Sequence, residues 1–453
     1  MSISSFYGLQ TSLRGLLAQQ RLIDTAGHNI ANASTKGYSR QEAALAASPA
    51  TRIVGGTATG VAGHLGSGVD VQAYRRIRDV FVDLQFRAQN TSLGEWTARS
   101  GALERAEAAL AEPGENGINQ QLSEFWDAWS TLHNANSVSE QGAAKTTLVA
   151  KAAALADAFE TVRAQIVLTK DQTNAEYADL SGPGGEVQQI AQDLASLNDT
   201  IKKFTVSGEV PNDLLDRRDA LLDDLSAFGQ ISVEDMGDGT LNVSFVDKVA
   251  AGTTYPVVTG TTADWAGPPA GDAWSPGGRL GALLDVSKTG GTLDGYLTTL
   301  DTIATNLANT VNTAYQGTFF DLGGGPAAQT LDVSAALLAN PTLVTAGTGA
   351  AGSTDLALAV SQLRDNPAID GAYRSFVAKM GTDVREATRQ QGNAQVLTDA
   401  VENRRQSVSG VSLDEEMANL VRFQRAYQAS SRAMSTLDEM LDVLINRTGR
   451  VGL

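Results

Sequence analysis

The residues that could do chemistry in this sequence are few and scattered. The three histidines, His28, His64 and His133, stand far apart with no H-x-x-x-H or similar ligand spacing. There is no cysteine, which excludes thiol nucleophiles, disulfides and Cys-ligated metals together. No G-x-S-x-G elbow occurs. The loop "SGPGGE" (181–186) lacks the G-x-G-x-x-G spacing and a preceding strand, so it breaks the chain rather than cradling a phosphate. The carboxylates of "LDRRDALLDDL" (215–225) sit beside Arg217 and Arg218, where solvated ion pairs on a helix are expected. Phe125 and Trp129 of "FWDAW" lie four apart, as core residues on one helix face do. No catalytic, metal or cofactor-binding residue is expected, and no cofactor.

Charge narrows the partners. Acidic residues outnumber basic ones 51 to 34, a net charge of −17 that repels nucleic acid and anionic lipid. The one basic cluster, Arg75, Arg76 and Arg78, is interrupted by Ile77 and followed by Asp79; it reads as a solvated helix face. No run approaches the ~18–20 apolar residues that span a bilayer. The first residues, MSISSFYGLQTSLRGLL, lack a basic n-region, a continuous apolar core and a cleavage site, so no cleaved secretory signal is expected. Specialised export machines do not read such signals.

These residues must be positioned by helices. From Phe6, steps of three and four reach Leu9, Leu13, Leu16, Gln20, Ile23, Gly27 and Ile30, a coiled-coil seam broken twice. Near the other end Leu413, Met417, Leu420, Tyr427, Met434 and Leu441 repeat the pattern. Burying so few apolar side chains does not order two such helices alone, so both need neighbours, either the body or other subunits. Between them, residues 42–70 read as an irregular Gly/Ala-rich segment, followed by helical stripes to about 230. Alternation around Asp238-Gly239 in "ISVEDMGDGTLNVSFV" (231–246) predicts a hairpin. Helix returns at Tyr296, and a looser stretch (317–370) leads into a long C-terminal helical region from about Tyr373.

The stretch "HNIANASTKGYSRQ" (28–41) ends the first helix in ordinary stop chemistry, short polar side chains and a glycine. The same stretch resembles the N-terminal motif shared by bacterial flagellar axial proteins. "PNDLLDRRDALLDDLS" (211–226), "GGRLGALLD" (277–285), "GSGVDVQAYRRIRDVFVDLQFR" (66–87) and "SVSGVSLDEEMANLVRFQRAYQASSRAMSTLDEMLDVLIN" (407–446) resemble the flagellar hook-associated protein 1 family more specifically.

The resemblance implies a mainly α fold: terminal coiled-coil helices plus an elongated helical-bundle domain with a small β-rich insertion. Its divisions are an N-terminal axial helix (1–36), a helical domain in two segments (37–230 and 277–405), the insertion (231–276) and a C-terminal axial helix (406–453). The family's outer region is often larger, so here it is reduced. The function implied is that of a self-assembling structural subunit joining hook and filament, exported unfolded by the flagellar type III system. It would form a homo-oligomer with hook protein below and the second junction protein above, its C-terminal helix first held by a cytoplasmic export chaperone. Leu9, Leu13, Leu16, Ile23 and Ile30 would then face Leu413, Met417, Leu420, Tyr427, Met434 and Leu441. Asn29, Asn32, Gly37 and Tyr38 would form the hinge. The alternatives are another axial component (second junction protein, hook or rod subunit), a secreted cell-wall enzyme, or an adhesin.

Overall fold

Helix formers dominate the chain, and its elements stop where glycine, proline and capping residues interrupt them. The computed structural model describes residues 6–53, 63–110, 112, 114, 117–250, 252–269, 274–349 and 352–447. Helix α1 (Tyr7–Ala31) comes first. Strands β1 (Gln41–Ala47), β2 (Thr51–Ile53), β3 (Gly63–Leu65) and β4 (Val69–Arg76) follow. β1 pairs antiparallel with β4, Gln41 opposite Arg76, and β2 pairs with β3.

This ribbon corrects the expectation of an irregular segment at 42–70, whose residues 54–62 lie outside the described ones. "QEAALAA" has weak strand propensity, and tertiary contact supplies what propensity does not. The ribbon runs back along α1: Tyr7 donates its hydroxyl to the Leu65 carbonyl (3.0 Å), and the Arg14 guanidinium donates to the Ser67 carbonyl (3.2 Å).

The body is helical, built of α2 (Val80–Ala108), α3 (Ile118–His133), α4 (Val138–Ser181), α5 (Glu186–Val206) and α6 (Asn212–Phe228). α4 starts at a capping box, in which Ser137 and Glu140 satisfy each other's backbone N–H. A meander of β5 (Ile231–Asp235), β6 (Leu241–Val246), β7 (Thr254–Thr259) and β8 (Thr262–Ala263) follows in sequence order. Gly237 and Gly239 give its first turn the positive φ it requires (75° and 92°). Then come α7 (Gly278–Ser287), α8 (Thr292–Tyr315), β9 (Phe320–Leu322), α9 (Ala327–Thr330), β10 (Leu331–Val333), α10 (Ala335–Ala339) and α11 (Asp355–Ser361). Two long helices follow, α12 (Asp370–Ser409) and α13 (Leu413–Asp442), and a short π-helical stretch, Val443–Arg447, ends the described chain. α12 runs unbroken through 405–406, and the break falls at Gly410–Ser412. The fold is thus mainly α with small β pieces.

Two apolar cores hold the body. In the larger, Phe125, Trp126 and Trp129 of α3 interlock with Tyr315, Phe319 and Phe320, ring centroids 4.9–6.3 Å apart. Trp126 donates its indole N–H to Asp370 (3.1 Å), whose carboxyl burial pushes above the usual range. The smaller core joins α5, α6 and α7 to the meander around Phe245, Trp265 and Trp274. Its indoles are satisfied by the Ser181 carbonyl (2.9 Å) and the Tyr177 hydroxyl (2.8 Å) at the end of α4. α2 lies antiparallel to α12, with Ser100 and Thr388 in hydrogen-bond contact at 3.1 Å. It meets α6 so closely at Gly94 that a Cβ there would sit 2.2 Å from the Ala227 carbonyl oxygen.

Candidate functional site at the terminal-helix hinge

The first and last helices pack against each other antiparallel. Gly8 lies against Leu437, Gly15 against Ser430, and Asn29 against Glu416. Each step forward on α1 matches an equal step back on α13, so one register runs along the pair. Small residues make the approach close, with a Cβ at Gly8 falling 3.2 Å from the Leu437 side chain.

The packed face differs from the expected seam. On α1 the buried residues are Ala18, Leu22, Ala26 and Asn29; on α13 Glu416 is buried. Leu9, Leu16, Ile23 and Ile30 are half-buried, as are Leu420, Tyr427, Met434 and Leu441. Leu13, Leu413 and Met417 are exposed, a correction to their assignment within the pair. The packed face of α1 is lined largely by Gly and Ala, so counting large apolar residues centres the seam beside the buried face rather than on it.

At the hinge, α1 ends on a buried polar knot. The Asn29 side chain replaces a missing backbone pairing: it donates to the Gln41 carbonyl (2.9 Å) and accepts from the Gln41 N–H (3.0 Å). It also accepts from the Tyr38 hydroxyl (2.8 Å) and donates to Glu416 of α13 (3.3 Å). Asn32 caps the helix by donating to the His28 carbonyl (3.0 Å). Gly37 takes φ +80° where the chain turns, with Ala220 of α6 against it. Burial and the carboxylates of Asp213, Asp216 and Glu416 push the Tyr38 hydroxyl well above its ordinary range, which keeps it a neutral donor. Glu416, 3% exposed, accepts from Arg40 (2.7 Å). One carboxylate from the far end of the chain therefore locks both α1 and the turn after it.

Next to the knot lies an ion network that the sequence reading missed. Ser39 donates its backbone N–H and its hydroxyl to Asp216 (2.9 and 2.8 Å). Asp219 accepts from Arg76 (2.7 Å), Arg78 (2.9 Å) and Arg87 (3.3 Å). Arg78 also grips Asp83 (2.8 Å), Arg87 bonds Asp223 (2.8 Å), and Arg405 of α12 closes onto Asp223. Burial works to raise the Asp219 carboxyl, but Arg78, Arg76 and Arg87 hold it below the usual range. For Arg78 burial is likewise overcome, by Asp83 and Asp219, and its guanidinium is pushed up.

Two expectations change here. Arg76 and Arg78 are not on a solvated helix face: Arg76 ends β4, and both are mostly buried among carboxylates. Asp216, Asp219 and Asp223 of α6 are mostly buried rather than solvated. The network ties the ribbon, α2, α6 and the end of α12 into one base for the hinge. Apart from Arg78 and Asp83, its partners lie more than 130 residues apart in sequence, so no local signal marks them.

Among the described residues no group of three or more His, Asp or Glu is arranged to hold a metal, and no helix is long and apolar enough to cross a membrane. What the site offers is mechanical: a side-by-side pair of helices from the two ends of the chain, set on a braced hinge.

Residues 9–38 match the family model described as flagella basal body rod protein, and 393–447 match the flagellar basal body rod FlgEFG protein C-terminal model. Residues 103–329 match the flagellar hook-associated protein FlgK helical domain. The chain is 31% identical to flagellar hook-associated protein 1 of Bacillus subtilis (strain 168), covering 98% of this chain and 99% of that one. It is 25% identical to flagellar hook-associated protein 1 of Escherichia coli (strain K12), covering 97% and 99%. These alignments run over 508 and 560 positions against the 453 residues here, so both relatives carry insertions that this chain lacks. A solved structure of the flagellar hook junction protein FlgK from Burkholderia pseudomallei is 20% identical with a TM-score of 0.44, covering 53% of this chain and 47% of that one. The chain belongs to the flagellar hook-associated protein 1 (FlgK) family, a family of structural proteins of the flagellum.

Proposed function

We propose that this chain is the self-assembling adaptor between hook and filament, a structural subunit without catalytic activity. It stands as a homo-oligomer with hook protein below and the second junction protein above. Residues 1–36 and the segment from the α12–α13 break onward form its axial part, and the body forms the shell outside it. The family carries the class of the reading. The observation that carries the mechanism is the Asn29–Tyr38–Glu416 knot, which joins residues 387 positions apart into one hinge. An adaptor has to hold its axial helices at a fixed angle to its outer shell. A buried, directional polar lock does that better than apolar contact, because its hydrogen bonds are satisfied in one geometry only.

Export belongs to the same reading. The subunit travels unfolded through the flagellar type III channel and works outside the cell. Before that, a cytoplasmic chaperone holds the C-terminal helix, whose exposed Leu413, Met417 and Val421 suit capture in an apolar groove. Gold labelling of a tagged chain on isolated flagella tests the placement. A single label between hook and filament is expected. Label spread along hook, rod or filament would reassign the chain to another axial component, and label off the flagellum would reopen the enzyme and adhesin readings.

A further inference from the structure

Arg218 of α6, expected in a solvated ion pair, is instead a buried cation that the ion network does not use. It is 9% exposed, and no carboxylate pairs with it among the described residues. Arg76, Arg78, Arg87 and Arg405 each hold an aspartate. The Arg218 Nη1 donates to the Gly239 carbonyl (2.8 Å) and to Asn198 Oδ1 of α5 (3.3 Å). Its buried Nε has no acceptor among the described residues, and burial pulls the guanidinium below its ordinary range. A buried charge without a counter-ion costs stability, and an apolar side chain of similar volume often serves a core as well or better.

What the charge holds is direction. Asn198, 1% exposed, donates to the Leu241 carbonyl (2.9 Å) and the Gly260 carbonyl (2.6 Å) while it accepts from Arg218. Gly239 and Leu241 belong to the β5–β6 turn and Gly260 to the β7–β8 turn, and the strand register sets both turns at one end of the meander. One Arg–Asn pair therefore grips three backbone carbonyls at that end. The exposed Lys202–Asp238 ion pair adds little there. The other end is anchored separately: Trp265 and Trp274 pack on Phe245, opposite Ile231, and donate to Ser181 and Tyr177.

We propose that Arg218 and Asn198 form an orienting clamp, which fixes the direction of the β insertion on the body and does not supply its stability. Held at the tryptophans alone, the insertion would swivel about that end; the clamp stops it. Arg218 lies two residues from both Asp216 and Ala220, about 200° round α6. The clamp and the seat of the hinge turn thus occupy opposite sides of one helix, and α6 passes the direction of one to the other. The clamp is a property of the single chain, so its test does not depend on the junction reading.

The absence of cysteine makes the test clean. Glu234→Cys on β5 and Asp171→Cys on α4, both exposed, take spin labels in the purified full chain. Double electron–electron resonance then gives the distribution of distances between them. Adding Arg218→Met is expected to broaden that distribution while Tm by scanning calorimetry stays level or rises. A native width would overturn the proposal, and so would a lowered Tm, which would make Arg218 a stabilising contact.

If the methionine variant does not fold, Arg218→Lys decides. Lysine keeps the charge but lacks the planar fork that spans Gly239 and Asn198, so that chain should fold with a broadened distribution. A native width there, or loss of the fold in both variants, would overturn the clamp.

Discussion

Asp219→Asn tests whether the ion network braces the hinge. The carboxylate accepts from three mostly buried guanidinium groups at 2.7–3.3 Å. An amide removes the charge and turns an N–H toward at least one of them. Breaking a buried ion pair by removing one partner costs about 3–5 kcal/mol. Asp216 still holds Arg76 and Asp223 still holds Arg87, so the lower end, about 3 kcal/mol, is expected here. At roughly 2–4 °C per kcal/mol for a unit of 150–250 residues, Tm should fall by about 6–12 °C at neutral pH.

The pH dependence adds a second check. Asp219 has a depressed folded pKa, held down against burial by Arg78, Arg76 and Arg87. Its contribution is therefore complete above the ordinary aspartate value near ~4 and is lost as pH falls through the lower folded value. Scanning calorimetry of the purified native chain and variant should show a Tm gap at pH 7 that closes in acid. Equal Tm values at pH 7, or a gap that survives acidification, would refute the reasoning.

Other perturbations separate the body from the axial helices. Gly37→Val forces a β-branched residue to φ +80° and sets its Cβ 3.2 Å from that of Ala220; the purified chain should keep the native Tm of its body while cells carry no filaments, and normal filaments would refute it. Gly94→Ala drives a Cβ to 2.2 Å from the Ala227 carbonyl oxygen, so α2 and α6 must separate; a loss of about 1–3 kcal/mol in urea unfolding is expected from overpacking, and an unchanged midpoint would show that the contact yields freely. Four of the 25 residues of α1 and one of the 30 of α13 are buried, so amide exchange at residues 7–30 should be fast in the free chain and slow in assembled flagella. Strong protection in a proven monomer would contradict this.

The parts of this account that were legible in the sequence are those written locally. The glycine turn, the stop chemistry after Ile30, the Asp238-Gly239 hairpin and the long helices follow from backbone preference and periodicity within a few residues. The β1–β4 ribbon was not legible, because an alanine-rich strand takes its conformation from α1 beside it. Arg76 and Arg78 looked solvated beside Asp79, whereas their partners are Asp216 and Asp219 on α6. Glu416 is one of three acidic residues at a helix start, a place where dipole chemistry alone accounts for them, and only the fold shows it turned onto Asn29 and Arg40. The buried centre of the α1 face, with Ala18, Leu22, Ala26 and Asn29, was not legible, because glycine and alanine permit close helix approach and add nothing to an apolar count.

The most direct test of the central claim is electron microscopy of a strain lacking this chain, with the culture medium assayed for filament protein. Bare hooks, with filament protein lost to the medium, are the result expected of a missing adaptor. Complete filaments on intact hooks would contradict it.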